Sequence, residues 1–191
     1  RCGYLPRMNL RFVLASLLLG LLPAGWAATA STRPNILVIL ADDMGVGDVS
    51  CLNPRSAWRT PAIDRLASQG MIFSDAHSSS GVCTPTRYTL LTGRYSWRQP
   101  EGAHIAPGDE AITIKPGTFT LPGMLKQAGY KTGIVGKWHL GDMPAYRPIQ
   151  RGFDHQYGLW GGRIDYFTHT NQRNLDWHRD DRLLRERGYS T

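Results

Sequence analysis

Gly81–Arg94 reads Gly-Val-Cys-Thr-Pro-Thr-Arg-Tyr-Thr-Leu-Leu-Thr-Gly-Arg, and the rest of the chain is organised around it. Thr84 followed by Pro85 predicts an N-cap and first helical position, because proline's missing N–H falls where a helix has no partner for it and its fixed φ suits the turn. Cys83 then sits just before a helix start. Unpaired backbone N–H groups and the positive end of the helix dipole favour a thiolate, an alkoxide or a bound oxyanion there. Arg87 follows Cys83 by four residues, about one turn, so its guanidinium returns to the same end. A nucleophile position, a helix N-terminus and a fixed cation converge, which outlines an anion-handling site. On these residues alone, a half-buried structural cysteine before a helix remains an equal alternative.

Upstream, Asn35-Ile36-Leu37-Val38-Ile39-Leu40 is a continuous aliphatic run, as expected of a central parallel strand buried on both faces. It leads into Ala41-Asp42-Asp43-Met44-Gly45. Ligand crevices of open α/β sheets lie beyond the carboxyl ends of the strands. Two adjacent carboxylates there repel unless a cation holds them, and hard oxygen ligands favour calcium or magnesium. The alternative is that one aspartate caps the next turn and the other is solvated. Downstream, Lys131 to Gly141 reads as a strand running into a loop. Residues two apart in a strand share a face, so Lys137 and His139 can both face one pocket. An exposed lysine beside a locally bonded histidine is the plainer possibility. Thr60–Gly70 and Thr120–Gly129 carry helix signals with proline near the start and glycine at the end, and Met71–Phe73 begins a further strand.

Together these motifs resemble the type I sulfatases. Cys83-Thr84-Pro85-Thr86-Arg87, continued by Leu91-Thr92-Gly93-Arg94, is similar to that family's Cys-x-Pro-Ser-Arg signature with a downstream Thr-Gly-Arg. Thr86 replaces the usual serine and keeps the hydroxyl. Arg33–Gly45 resembles the opening strand, and Gly136-Lys137-Trp138-His139-Leu140-Gly141 resembles the second signature. Arg151–Asp154, Tyr157-Gly158 and Gly161–His169 resemble the segment that follows in arylsulfatase B-like members.

The resemblance implies an α/β, alkaline-phosphatase-like fold, a mostly parallel sheet flanked by helices, here truncated, with residues 31–191 as the N-terminal part of a catalytic domain. It implies that Cys83 is oxidised to formylglycine by a formylglycine-generating enzyme, and that Asp42 and Asp43, with the converted Cys83, hold a calcium ion. Arg87 and Lys137 would offset charge on the sulfate, and His139 would bind it and handle the proton of the aldehyde hydrate. The substrate would be a sulfated small molecule or a sulfated glycan. Family members continue well beyond the position of Thr191, into further calcium ligands, a histidine and a lysine, so the 191-residue chain alone is expected to show no appreciable turnover. His169 is expected to be structural or peripheral. Two other functions are a phosphodiesterase or phosphonate hydrolase of the same superfamily, and an inactive remnant that binds calcium or a sulfated glycan weakly.

Composition agrees with a single folded domain: 191 residues, 41% hydrophobic and 19% charged. Met8–Ala30 has a basic flank, an apolar core from Phe12 to Leu22 and small residues at Ala27–Ala30, the pattern of a secretory signal peptide too short to span a membrane. The chain is therefore expected to be exported, to the periplasm or the extracellular space, without a stable membrane anchor. The net charge is +7. It remains modestly basic once Arg1, Arg7 and Arg11 leave with that segment, which suits an anionic substrate. No basic run with interleaved aromatics argues for nucleic acid. Of Cys2, Cys51 and Cys83, the last two are left after cleavage, and a Cys51–Cys83 disulfide is the competing structural role. Tyr95–Lys115 reads as a loop at the site mouth, and Asp176–Tyr189 as a surface hairpin or loop.

Overall fold

The structure is a computed structural model that describes residues 33–99, 114–172 and 174–190. The signal-peptide segment Met8–Ala30 and the middle of the Tyr95–Lys115 loop lie outside the described residues. The chain divides into two compact units, Arg1–Ala41 and Asp42–Thr191. In the first, Asn35–Leu40 carries no strand, and Leu37 and Ile39 are 84% and 78% exposed. This departs from the expected central strand. An apolar run becomes a strand only where neighbours take up its N–H and C=O groups, and among the described residues no ladder forms on it. Met71–Phe73 is likewise exposed and outside any strand, for the same reason.

In the second unit, helix α1 (Pro61–Gln69) starts on its proline and stops at Gly70. The Thr60 hydroxyl does not cap it. Instead it donates to Asp64 Oδ1 at 2.9 Å and accepts from the Ser50 N–H at 2.9 Å, while Ser50 Oγ donates to Asp64 Oδ2 at 2.6 Å. This network ties the preceding turns to the helix. Helix α2 (Cys83–Thr92) ends at Gly93, whose φ of 66° lets its N–H return to the Thr89 carbonyl at 2.8 Å. Helix α3 (Leu121–Gln127) is capped by Thr120, whose hydroxyl accepts from the Gly123 N–H at 3.2 Å.

Strands β1 (Gly133–Val135), β2 (His155–Gly158), β5 (His178–Arg179) and β6 (Arg182–Leu183) form one sheet in the order β1-β2-β5-β6, while β3 (Thr170–Asn171) and β4 (Asn174–Leu175) pair apart. Strands β1 and β2 run parallel with Gly133 opposite His155, and the pairs β2/β5 and β5/β6 are antiparallel. The sheet described is therefore mixed, with one parallel pair. Asp176–Tyr189 is more than surface: β5 and β6 extend the sheet, and Trp177 and His178 are buried.

Tyr88 and Leu91 of α2 pack with Ile114, Trp138, Leu140, Phe153 and Trp160 in the core. Burying each such side chain stabilises by about 1.5–3 kcal/mol. The Arg151–Asp154 motif locks α3 against this sheet. The buried Arg151 donates to the Ile114 carbonyl at 3.0 Å, and a Cβ on Gly152 would stand 2.7 Å from the Gly123 nitrogen. Asp154 Oδ2 accepts from the Thr132 N–H at 2.9 Å, and its Oδ1 pairs with Lys126 at 2.8 Å. Glycine at 152 is required twice over, by that approach and by a φ of 107°.

Candidate active site

Helix α2 begins two residues earlier than its Thr-Pro signal suggests: Val82 is the N-cap and Cys83 the first helical residue. The first-turn N–H groups have no partner four residues back, so proline is tolerated at the third position as readily as at the first. Thr84 is thereby free of a capping role. Its Oγ1 lies 3.2 Å from His139 Nδ1, and Cys83 Sγ lies 3.2 Å from the same nitrogen. Thr86 donates from Oγ1 to the Ser80 carbonyl at 2.9 Å, fixing the loop that enters the helix. Cys51 and Cys83 are both free thiols, so the competing disulfide is not formed.

The second motif reaches the same point from β1. The ladder assignment stops at Val135, but backbone bonds continue: Gly136 N–H to the Tyr157 carbonyl at 2.8 Å, Trp138 N–H to Leu159 at 3.0 Å and His139 N–H to Trp160 at 2.9 Å. Trp138 and Leu140 alternate into the core at 1% and 0% exposure. Trp138 Nε1 donates to the carbonyls of Gly141 and Tyr146, at 3.1 and 3.2 Å. The tryptophan is the anchor that presents Lys137 and His139 on the opposite side. Lys137 Nζ lies 2.8 Å from Asp42 Oδ2, the Arg87 guanidinium lies 3.0 Å from that oxygen, and Arg87 also donates to the Lys137 carbonyl. Cys83, Arg87, Lys137, His139 and Asp42 are thus brought together at one helix N-terminus. Asp43 follows Asp42 in sequence, and its carboxylate makes no hydrogen bond or ion pair among the described residues.

Two residues here hold left-handed backbone, Asp43 at φ 58° and His139 at φ 56°. Such conformations cost about 1–3 kcal/mol each, and they persist where the surroundings over-determine them, often at functional sites. The His139 ring is itself closely seated: a Cβ on Gly162 would fall 2.5 Å from its Cε1, so a larger residue there requires the ring or the backbone to shift.

Burial alone would push the Asp42 carboxyl up; the hydrogen bond and charge of Lys137, then Arg87, outweigh it and hold the group below the usual carboxylate range. It remains ionised at neutral pH. Both cations engage Oδ2, which leaves Oδ1 and the Asp43 carboxylate as unengaged hard oxygen donors among the described residues. The chemistry of this donor set fits calcium in kind. Calcium takes six to eight oxygens, and among the described residues no group of three or more His, Cys, Asp or Glu side chains gathers to hold a metal. Two adjacent carboxylates are by themselves too few to complete such a shell.

Three features of the site were not singled out from the sequence. Thr84 reads from the sequence as a cap, although its place inside the motif marks it. Gly162 belongs to the Gly161-Gly162 pair, which hinted at a close approach. A cleft of about 490 Å³, lined in part by His139, Arg147, Trp160 and Asp181, comes from segments distant in sequence and carries no local signal. His169 is 3% exposed and stacks on Trp177 with centroids 4.6 Å apart, away from the residues gathered on α2.

The family model described as Sulfatase matches residues 34–190. The N-acetylgalactosamine-6-O-sulfatase of Bacteroides thetaiotaomicron is 52% identical over 111 residues, covering 58% of this chain and 21% of that protein. The N-acetylgalactosamine-6-sulfatase of Mus musculus is 38% identical over 169 residues, covering 85% of this chain and 32% of its own length. Among solved structures, Ps i-CgsB superposes with a TM-score of 0.73 at 31% identity, over 83% of this chain and 38% of that one. The chain thus spans about a fifth to a third of the length of these curated relatives, and it shares the fold of Ps i-CgsB over the superposed span. With both signature motifs converging on one helix N-terminus, the chain belongs to the sulfatase family.

Proposed function

We propose that the protein carrying this chain hydrolyses sulfate esters through a formylglycine formed from Cys83, with a calcium ion held in part by Asp42 and Asp43, and that residues 31–191 are the N-terminal part of its catalytic domain. The observation that carries this is the convergence of Cys83, Arg87, Lys137 and His139 on the start of α2, with Asp42 held between the two cations. A sulfate ester is a stable anion. Its cleavage needs the charge on the non-bridging oxygens offset, a nucleophile at sulfur and a proton for the departing oxygen. A hydrated formylglycine at position 83 would supply a geminal pair of hydroxyls: one attacks sulfur as the alcohol departs with a proton, and loss of the other's proton re-forms the aldehyde and releases sulfate. Asp42 and Asp43 would hold part of a calcium site, and the ion would supply further positive charge for the sulfate oxygens.

The chain's own residues do the rest. Arg87, its guanidinium fixed by the Lys137 carbonyl and Asp42, and Lys137 present preorganised positive charge at the helix N-terminus, where donors aimed at developing charge act most strongly. His139 Nδ1, 3.2 Å from Cys83 Sγ, holds or accepts a proton at the atom attached to residue 83. Thr84 keeps that ring in place from the side. The relatives' names support a sulfated sugar as the substrate, and the predicted signal peptide supports export and maturation by a formylglycine-generating enzyme. Among the described residues no helix is long and apolar enough to cross a membrane. The test is parallel assay of the full-length protein, matured with a formylglycine-generating enzyme, on sulfate monoesters and phosphate diesters. Release of sulfate that disappears in Lys137→Ala and His139→Ala supports the proposal; preferential cleavage of the diester overturns it.

A further inference from the structure

His139 also forms part of the wall of the cleft of about 490 Å³, a volume typical of small-molecule sites, which run from roughly 300 to 1,000 Å³. The composition of that wall says what it would accept. Among the described residues its one aromatic ring apart from the histidines is Trp160, and both faces of the indole are taken. The His178 ring stacks on it at 3.5 Å with an interplanar angle of 5°, and the Arg147 guanidinium carbon stands 4.0 Å over the ring. Two groups that near cannot share a face, so they enclose the indole from opposite sides. The ring offers no platform to a flat aromatic ligand. Asn171, Asn174 and Asp181 supply amides and a carboxylate along the rest of the wall. Asp176 is spent on structure, accepting the N–H groups of Trp160 at 3.0 Å and Gly161 at 2.8 Å.

Arg147 is a cation in this wall with donors to spare. Its Nε donates to the Asp142 carbonyl at 2.9 Å, and the ring beneath holds the guanidinium plane. Its terminal nitrogen is 3.8 Å from Asp181 Oδ1, too long for a hydrogen bond. We propose, building on the sulfatase function above, that the cleft receives the alcohol part of the ester as a hydroxyl-bearing sugar rather than an aryl group, and that Arg147 is the residue that selects it. A planar fork fixed on an indole presents two parallel N–H donors to neighbouring oxygens of a sugar ring, which a lysine ammonium cannot reproduce. An aryl ring would leave those donors and the amides of Asn171 and Asn174 unpaired, and sites built to pair a hydroxyl reject analogues lacking it.

The experiment compares monosulfated N-acetylhexosamines with 4-nitrophenyl sulfate on the full-length matured protein, with Arg147→Lys and the exposed Asp181→Asn as variants. Binding of the same compounds to a Cys83→Ala protein is measured by calorimetry. The expected result is kcat/KM favouring a sugar ester by about a hundredfold or more, with that ratio falling at least about tenfold in Arg147→Lys, mainly through KM. A preference for the aryl ester, or variants that lower both substrates equally, would overturn the inference while leaving the sulfatase function intact. If no ester of either kind turned over, sugar binding lost in Arg147→Lys would uphold the cleft and sink the hydrolysis; no sugar binding would sink both.

Discussion

Replacing Gly162 by alanine tests whether His139 is held in place by its neighbours. The new Cβ would stand 2.5 Å from His139 Cε1 and 2.6 Å from Nε2, against an ordinary contact of 3.4–4 Å. The ring must retreat by about 1 Å, because alanine itself has no rotamer with which to escape. Gly162 is not among the glycines with positive φ, so no backbone strain is added to this steric one. Overpacking of this kind costs about 1–3 kcal/mol. His139 Nδ1 now sits 3.2 Å from both Cys83 Sγ and Thr84 Oγ1, and a retreat of that size takes it out of hydrogen-bond range of at least one of them. Misplacing a reacting group by 1 Å lowers turnover by about a hundredfold. The assay is kcat/KM for sulfate release by the full-length protein, alongside its thermal midpoint, with Gly47→Ala as the neutral control, since a Cβ there meets nothing nearer than 3.7 Å. Unchanged kcat/KM in Gly162→Ala, whether or not the midpoint falls, would show that the backbone yields instead of His139, and the argument for a seated catalytic histidine would fail.

Gly158→Ala is expected to destabilise the fold by more than about 3 kcal/mol, measured by urea unfolding, because its Cβ would overlap the Gly136 carbonyl oxygen at 2.2 Å and the φ of 139° is strained for alanine. Asp42→Ala leaves Lys137 and Arg87 without their shared carboxylate; since the Asp42 side chain is 34% exposed, the cost to stability is expected to be only about 1 kcal/mol, while sulfate turnover is lost. Asp154 has its carboxyl pulled down to about 2, first by Lys126 and then by the Thr132 N–H. A depressed folded value means the unfolded state binds the proton more readily, so this stability is present above about pH 4 and drains as the pH falls toward 2. In Asp154→Asn the urea midpoint should therefore fall less steeply with acid over that window, the remaining slope coming from other depressed carboxyls such as Asp64 and Asp165, and an unchanged acid limb would refute the assignment.

The site was legible where its information is local. Cys83 and Arg87 lie one helical turn apart, Lys137 and His139 lie two apart, and no tertiary knowledge is needed to see that each pair points one way. What joins the pairs is not local. The buried Trp138 turns its neighbours toward α2, and no pattern within the Lys131–Gly141 segment foretold that Asp42 would be the carboxylate between Lys137 and Arg87. The start of α2 was displaced because threonine before proline has two uses, and here Thr84 spends its hydroxyl on His139 rather than on a cap. Asn35–Leu40 shows the limit of hydrophobic pattern as a guide: it identifies a segment able to be a buried strand, but a strand exists only where partners do. In Asp176–Tyr189 the hairpin legible in the sequence forms as β5 and β6, but polar composition concealed that it joins the sheet and buries Trp177 and His178, because two-residue strands are too brief for alternation to declare itself. The cleft lies furthest from sequence, since its wall is drawn from the turn after β1, the end of β2 and the β3–β6 region.

The most direct measurement is the rate of sulfate release by the full-length protein as a function of the fraction of residue 83 present as an aldehyde, the fraction being set by graded co-production with a formylglycine-generating enzyme and read by mass spectrometry of the peptide containing Cys83. The account predicts a rate proportional to the aldehyde fraction and vanishing with it. Undiminished release from protein whose Cys83 is an unmodified thiol would contradict it.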